Sequence, residues 1–168
     1  MKHHHIPNIT IRAGIIVCSD RASRGEYEDK VIPTVKEIMK DLGWVLEFTT
    51  IVPDNIDEIR ESAWKGIEMK LHVIFTAGGT GVSPRDVTPE AIKPLIHKEL
   101  PGIAEYIRYL SWSKTPHALL SRAIAGITKE GTIIITLPGS PRASREIIPA
   151  LKDAIQHAVP IIQGYKIE

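Results

Sequence analysis

The sequence predicts an α/β domain, with three layers (α/β/α) built on a mostly parallel sheet that has one antiparallel edge strand. Three observations carry this. Short apolar runs alternate with longer segments of helical periodicity, the pattern of strand–crossover–strand units. Ile11 to Ser19 is almost continuously apolar, as a strand covered on both faces would be. Ala123–Thr128 and Thr132–Leu137 are separated only by Lys129-Glu130-Gly131, a connection so short that it demands antiparallel pairing.

Met1 to Asn8 reads as a disordered tail and 9–168 as a single domain. His3, His4 and His5 are either native or the remnant of a tag, and a mobile triple-His run makes a poor preorganised metal site. After the first strand, Val31, Ile32, Val35, Ile38, Met39 and Leu42 follow helical spacing, and Gly43 is a natural stop. Val45 to Val52 is the second strand, and Ile56, Ile59, Ala63 and Ile67 mark the second helix. His72 to Thr76 is the third strand. Thr88 can cap a helix whose first residue is Pro89 and whose apolar face is Ala91, Ile92, Leu95 and Ile96. Pro101-Gly102 breaks it, and a further helix runs to the region of Leu110. Ser140-Pro141 opens a final helix carrying Ile147, Ile148, Leu151, Ile155 and Val159.

Composition excludes several classes of function. Of 168 residues, 21 are Lys or Arg and 20 are Asp or Glu, a net charge of +1 that lacks the basic excess of a nucleic-acid binder. Hydrophobic residues at 43% and charged residues at 24% are those of a globular chain. The lone Cys18 rules out an internal disulfide framework and a four-thiolate zinc site. There is no membrane-length apolar run and no signal-peptide core, so a cytoplasmic protein is expected, with no membrane partner. His72, His97, His117 and His157 share no ligand spacing.

The most informative segment is Phe75-Thr-Ala-Gly-Gly-Thr-Gly-Val-Ser-Pro-Arg-Asp-Val-Thr-Pro-Glu90, between a strand and a helix. Gly78, Gly79 and Gly81 permit positive φ and close approach to a ligand. Successive amides in such a loop form an anion nest, and Thr80 and Ser83 add hydroxyl donors. Ligands of open α/β sheets bind beyond the C-terminal strand ends. The loop lacks the Gly-Lys-Ser/Thr of a Walker A motif and the spacing of the dinucleotide fingerprint.

Thr76-Ala-Gly-Gly-Thr-Gly81, followed by Pro84-Arg-Asp-Val-Thr-Pro-Glu-Ala91, resembles the molybdopterin adenylyltransferase family, which includes MogA and the G domains of plant and animal homologues. Three further segments agree: Ser19-Asp-Arg-Ala-Ser-Arg-Gly25 with Asp29-Lys30, Thr115-Pro-His-Ala-Leu-Leu-Ser-Arg122, and Leu137-Pro-Gly-Ser-Pro141. Together they span nearly the whole chain. Ala77 and Ser140 depart from the family's usual hydroxyl and amide residues, and no charged position is lost. The resemblance implies a molybdenum cofactor biosynthesis enzyme that uses magnesium ATP to adenylylate the terminal phosphate of molybdopterin, releasing pyrophosphate. It also implies a homotrimer and transfer of the product to a molybdenum insertase.

The same resemblance implies roles for residues. Asp86 closes the glycine motif; a carboxylate beside a phosphate nest repels the substrate unless a cation such as Mg2+ lies between them. Asp54 matches the family's acidic residue after a strand-ending proline, although Pro53-Asp-Asn-Ile-Asp57 also reads as an ordinary helix start with Asp54 as its N-cap. Asp54 and Asp86 are the expected catalytic, magnesium-holding pair. Expected phosphate, nucleotide and pterin contacts are Ser19, Asp20 and Arg21; the glycine-loop residues Gly78, Gly79, Thr80, Gly81, Ser83, Arg85, Thr88 and Glu90; Ser121 and Arg122; and Pro138, Gly139 and Ser140. Ser121 has no partner base in the sequence, so it is expected to donate a hydrogen bond and not to act as a nucleophile. Arg21, Arg24, Arg85, Arg142 and Arg145 all follow predicted strand ends, which would focus positive potential without raising net charge. Two other readings remain open: a molybdopterin-binding module without turnover, and a related enzyme that cleaves a nucleotide pyrophosphate.

Overall fold

A computed structural model describes residues 7–166, so His3–His5 and most of the expected tail lie outside the described residues. The sheet has six strands: β1 (Arg12–Cys18), β2 (Val45–Val52), β3 (Val73–Ala77), β4 (Ile96–Glu99), β5 (Ala125–Thr128) and β6 (Ile133–Leu137). Their order is β2-β1-β3-β6-β5-β4. β2, β1, β3 and β6 are parallel, and their register brings four ends level, with Cys18 opposite Val52, Val17 opposite Ala77, and Ala77 opposite Leu137.

Side chains alternate between the two faces of a strand, and the core divides accordingly. Ile15, Val17, Val73, Phe75, Ile133 and Ile135 face one cluster, completed by α2 (Val31–Leu42), α5 (Pro101–Trp112), α6 (Pro141–Ala150) and α7 (Lys152–Ile162). Ile16, Cys18, Ile74 and Ile134 face the other, completed by α3 (Ile56–Glu68) and α4 (Thr88–Ile92). This is the expected three-layer arrangement. The loop after β1 also contains one short helical turn, α1 (Asp20–Ser23).

Three boundaries differ from expectation. β5 is the antiparallel strand that the short connection demands, but the sheet continues past it to β4. Ile96, read above as helical, is extended there. The helix begun at Thr88 ends at Ile92 and passes through a 3-10 turn, Lys93–Leu95. Gly126 supplies the room for Ile96, because a Cβ at Gly126 would collide with the Ile96 side chain. The final helix is two helices, divided at Leu151, with Pro149 inside the last turn of the first.

Candidate functional site

The loops that follow the level strand ends form one surface. Gly78 (φ 104°) and Gly79 (φ 69°) occupy the left-handed region. A Cβ at Gly78 would strike the Cys18 carbonyl oxygen, and one at Gly79 would strike Thr88 Oγ1. Glycine is thus required twice, by dihedral angle and by space. Thr88 is not the expected helix cap. Val87 holds that position and Pro89 is the second helical residue. The buried Thr88 hydroxyl instead donates to the Gly78 carbonyl at 2.9 Å, and its N–H donates to the Gly79 carbonyl at 3.1 Å. Thr88 therefore pins the glycine turn from behind.

Asp54 and Asp86 converge on this turn. Asp86 Oδ2 accepts the Ser83 N–H at 2.9 Å, and a Cβ on Gly81 would lie 2.9 Å from the same oxygen. Asp54 is not the cap of α3. Asn55 is, with its side chain accepting the Glu58 N–H at 3.0 Å. Asp54 is instead paired reciprocally with Asp20. The Asp20 N–H donates to Asp54 Oδ2 at 3.1 Å, and the Asp54 N–H donates to Asp20 Oδ1 at 3.0 Å. The other Asp54 oxygen, Oδ1, is buried without a partner and lies 3.2 Å from where a Gly79 Cβ would sit. Burial raises the Asp54 pKa, the Asp20 N–H counters it, and the charges of Asp20 and Asp86 add to the rise. Arg85 grips Asp20 with both prongs, at 2.9 and 3.0 Å, and holds the Asp20 carboxyl below its ordinary range.

An unpartnered buried carboxylate oxygen, repelled by a second carboxylate, is a donor set suited to a hard cation. Among the described residues no three His, Cys, Asp or Glu side chains gather as a metal cage. Two carboxylates without a cage fit Mg2+, which keeps several ligands from water and substrate phosphate.

The remaining expected residues are placed as follows. Ser19 caps α1, accepting the Ala22 N–H at 3.2 Å, and Ser140 caps α6, accepting the Ala143 N–H at 3.1 Å. Gly139 packs on Gly78, whose Cα would be 3.2 Å from a Gly139 Cβ. Ser121 Oγ accepts the Ala123 N–H at 3.3 Å, which leaves its proton available. Arg122 and Glu90 form an ion pair with each other. The arginines do not stand as an uncompensated positive edge. Arg21 and Arg24 lie near Glu26, Arg85 pairs with Asp20, Arg142 with Glu146 and Arg145 with Glu37. The reason is that acids on the adjoining loops and helices reach back to them. The single-point pairs of Arg21, Arg24, Arg142 and Arg145 are weak and open readily to a better anion, whereas the two-pronged Arg85–Asp20 pair is held firmly.

Beside the glycine turn lies a cavity of about 410 Å³, lined by Thr80, Gly81, Ser121, Pro138 and Ser140. Lys114, His117 and Arg142 also line it, and of these Lys114 and His117 escaped the sequence reading. The signal for His117 was present in the Thr115–Arg122 motif, and Lys114 immediately precedes it. A larger cavity, about 640 Å³, lies at the opposite strand ends among Arg12, Trp64 and His72, away from every strand-end loop described above.

The family described as "Probable molybdopterin binding domain" matches residues 14–157. The chain belongs to this family. A molybdopterin adenylyltransferase from Helicobacter pylori (strain J99) is 42% identical over 92% of this chain and 89% of its own length. Gephyrin from Dictyostelium discoideum is also 42% identical, but the match spans 90% of this chain and only 22% of gephyrin. The crystal structure of a molybdopterin biosynthesis protein from Mycobacterium abscessus superposes with a TM-score of 0.85 at 32% identity, covering 93% of this chain and 98% of that one. Asp54, Asp86 and the glycine turn all lie inside the span that the molybdopterin-binding family matches.

Proposed function

We propose that this chain adenylylates molybdopterin with Mg-ATP in molybdenum cofactor biosynthesis. The observation that carries the reading is the convergence of Asp86 and the unpartnered Asp54 Oδ1 on a glycine turn. The adenylyltransferase name of a relative that matches nearly end to end supports it. A terminal phosphate oxygen of the pterin attacks the α-phosphorus of ATP. The new P–O bond forms as the α–β bridging P–O bond breaks, and the electron pair leaves with pyrophosphate. The nucleophile is already an anion, so no strong base is needed. The barrier is charge repulsion, lowered by positioning and electrostatics.

Asp54 and Asp86 would hold Mg2+, which would supply positive charge to offset phosphate repulsion. The glycine-turn amides and Ser83 line the phosphate path. Ser121 and the Pro138–Ser140 turn border the cavity for pterin or nucleotide, with Lys114, His117 and Arg142 at its wall. Arg21 and Arg85, on the loops after β1 and β3, are assigned to phosphate contact, and Arg21 leaves only a weak pair with Glu26 to make it. We place the reaction in the cytoplasm, where ATP is supplied, in a homotrimer that hands its product to an insertase. The exposed aromatic surface of α5 supports self-association.

The test incubates the purified protein with molybdopterin, ATP and Mg2+ and looks for adenylylated pterin. Pterin binding without product would mean a binding module, and AMP release without pterin would mean a nucleotide-cleaving enzyme. Asp54→Asn and Asp86→Asn should each lower turnover by about 100-fold or more, with pterin binding measured separately. Near-wild-type turnover in both would overturn the reading.

A further inference from the structure

Arg122 lies between Ser121, which lines the cavity, and β5, yet it does not line the cavity itself. Its guanidinium turns toward the glycine loop. Nε donates to the Gly81 carbonyl at 2.8 Å, Nη2 donates to the Asp86 carbonyl at 2.9 Å, and Nη1 pairs with Glu90 on α4. Its own N–H donates to the Thr80 carbonyl at 2.9 Å. One residue thus grips the segment from Thr80 to Glu90 at four points. Arg122 is braced in turn, because Arg108 from α5 donates to the Ala123 carbonyl at 2.8 Å. The gripped segment needs such support, since Val82, Ser83, Pro84 and Arg85 are all exposed and bury little apolar surface to order themselves.

We propose that Arg122 is a positioning residue: it holds the loop that carries Asp86 in register with Asp54, and it does not contact the pterin. The catalytic consequence rests on the function proposed above; the loop-ordering role does not. A planar fork that bonds two carbonyls and a carboxylate at once has no substitute in lysine, which offers a single point of charge.

The experiment compares wild type with Arg122→Lys and Glu90→Gln. The first readout is amide hydrogen exchange of the protein without metal or substrate. Exchange across residues 80–88 should rise about tenfold or more in Arg122→Lys and less in Glu90→Gln, while the strands stay protected. The second readout is adenylylation: kcat at saturating substrates should fall about 10- to 100-fold in Arg122→Lys, more Mg2+ should be needed for half-maximal rate, and molybdopterin affinity should hold. If Arg122→Lys fails to fold, Glu90→Gln carries both readouts. Unchanged loop exchange in a folded variant overturns the proposal, as does weakened pterin binding with kcat intact. Raised exchange, in a protein whose wild type makes no adenylylated pterin, leaves the clamp standing and overturns the proposed function instead.

Discussion

His72 shows how one ring nitrogen sets a response to pH. The Arg12 N–H donates to His72 Nδ1 at 2.9 Å, so the folded state holds that nitrogen unprotonated. Burial lowers the His72 pKa, and the Arg12 charge lowers it further against the opposing pull of Glu47. The unfolded chain titrates near the ordinary value of about 6.5. Between that value and the lower folded one, the unfolded state binds more protons, so stability falls as pH falls through the window. His72→Asn keeps an acceptor near Nδ1 and removes the titration. Urea melts from pH 7 downward should show a shallower loss of stability in the variant over that window. A second residue behaves differently: burial pushes the Cys18 thiol up to about 12, which keeps it protonated and inert behind the glycine turn. Its burial in a strand was readable from the apolar run around it. The grip of Arg85 on Asp20 was not, because 65 residues separate them and neither neighbourhood signals the other.

At the scale of elements, helix starts decide which polar groups remain for chemistry. In Pro53-Asp54-Asn55, two adjacent residues are both good caps, and local sequence does not choose between them. The structure gives the cap to Asn55 and the inward position to Asp54. Asn55→Ala should therefore cost about 1 kcal/mol of stability in a denaturant melt while turnover stays near wild type, the reverse of the pattern expected for Asp54→Asn. Strand β4 was hidden for a related reason. Ala91, Ile92, Leu95 and Ile96 keep helical spacing, but Ile96 is placed by the gap over Gly126, on another strand. The central strands were legible because both neighbours of each apolar pair, such as Ile15 and Ile16, are buried, and only a sheet covered on two sides requires that.

For the whole molecule, near-equal charge sums conceal local pairing more than local separation. Each strand-end arginine lies near a carboxylate, with Glu26 shared by Arg21 and Arg24, so attraction for phosphate depends on exchange of partners and should weaken with salt. The largest exposed aromatic surface among the described residues lies on α5, where Tyr109 is 68% and Trp112 50% exposed and Tyr106 stacks on Tyr109. If this surface joins copies of the chain in the proposed homotrimer, Tyr109→Glu with Trp112→Glu should shift sedimentation toward monomer. An unchanged profile would place the interface elsewhere.

The position of β6 in the sheet has a consequence for synthesis. It is the last strand among the described residues, yet it lies between β3 and β5. A nascent chain halted before Ile133 has β2, β1 and β3 on one side and the antiparallel β4–β5 pair on the other, with no strand between them. The Pro138–Ser140 turn that borders the cavity follows β6 directly. The chain between Ala77 and Ile133 must close before the sheet's central β3–β6 pairing forms. β6 is therefore the late-arriving strand, and it is the one that closes the sheet.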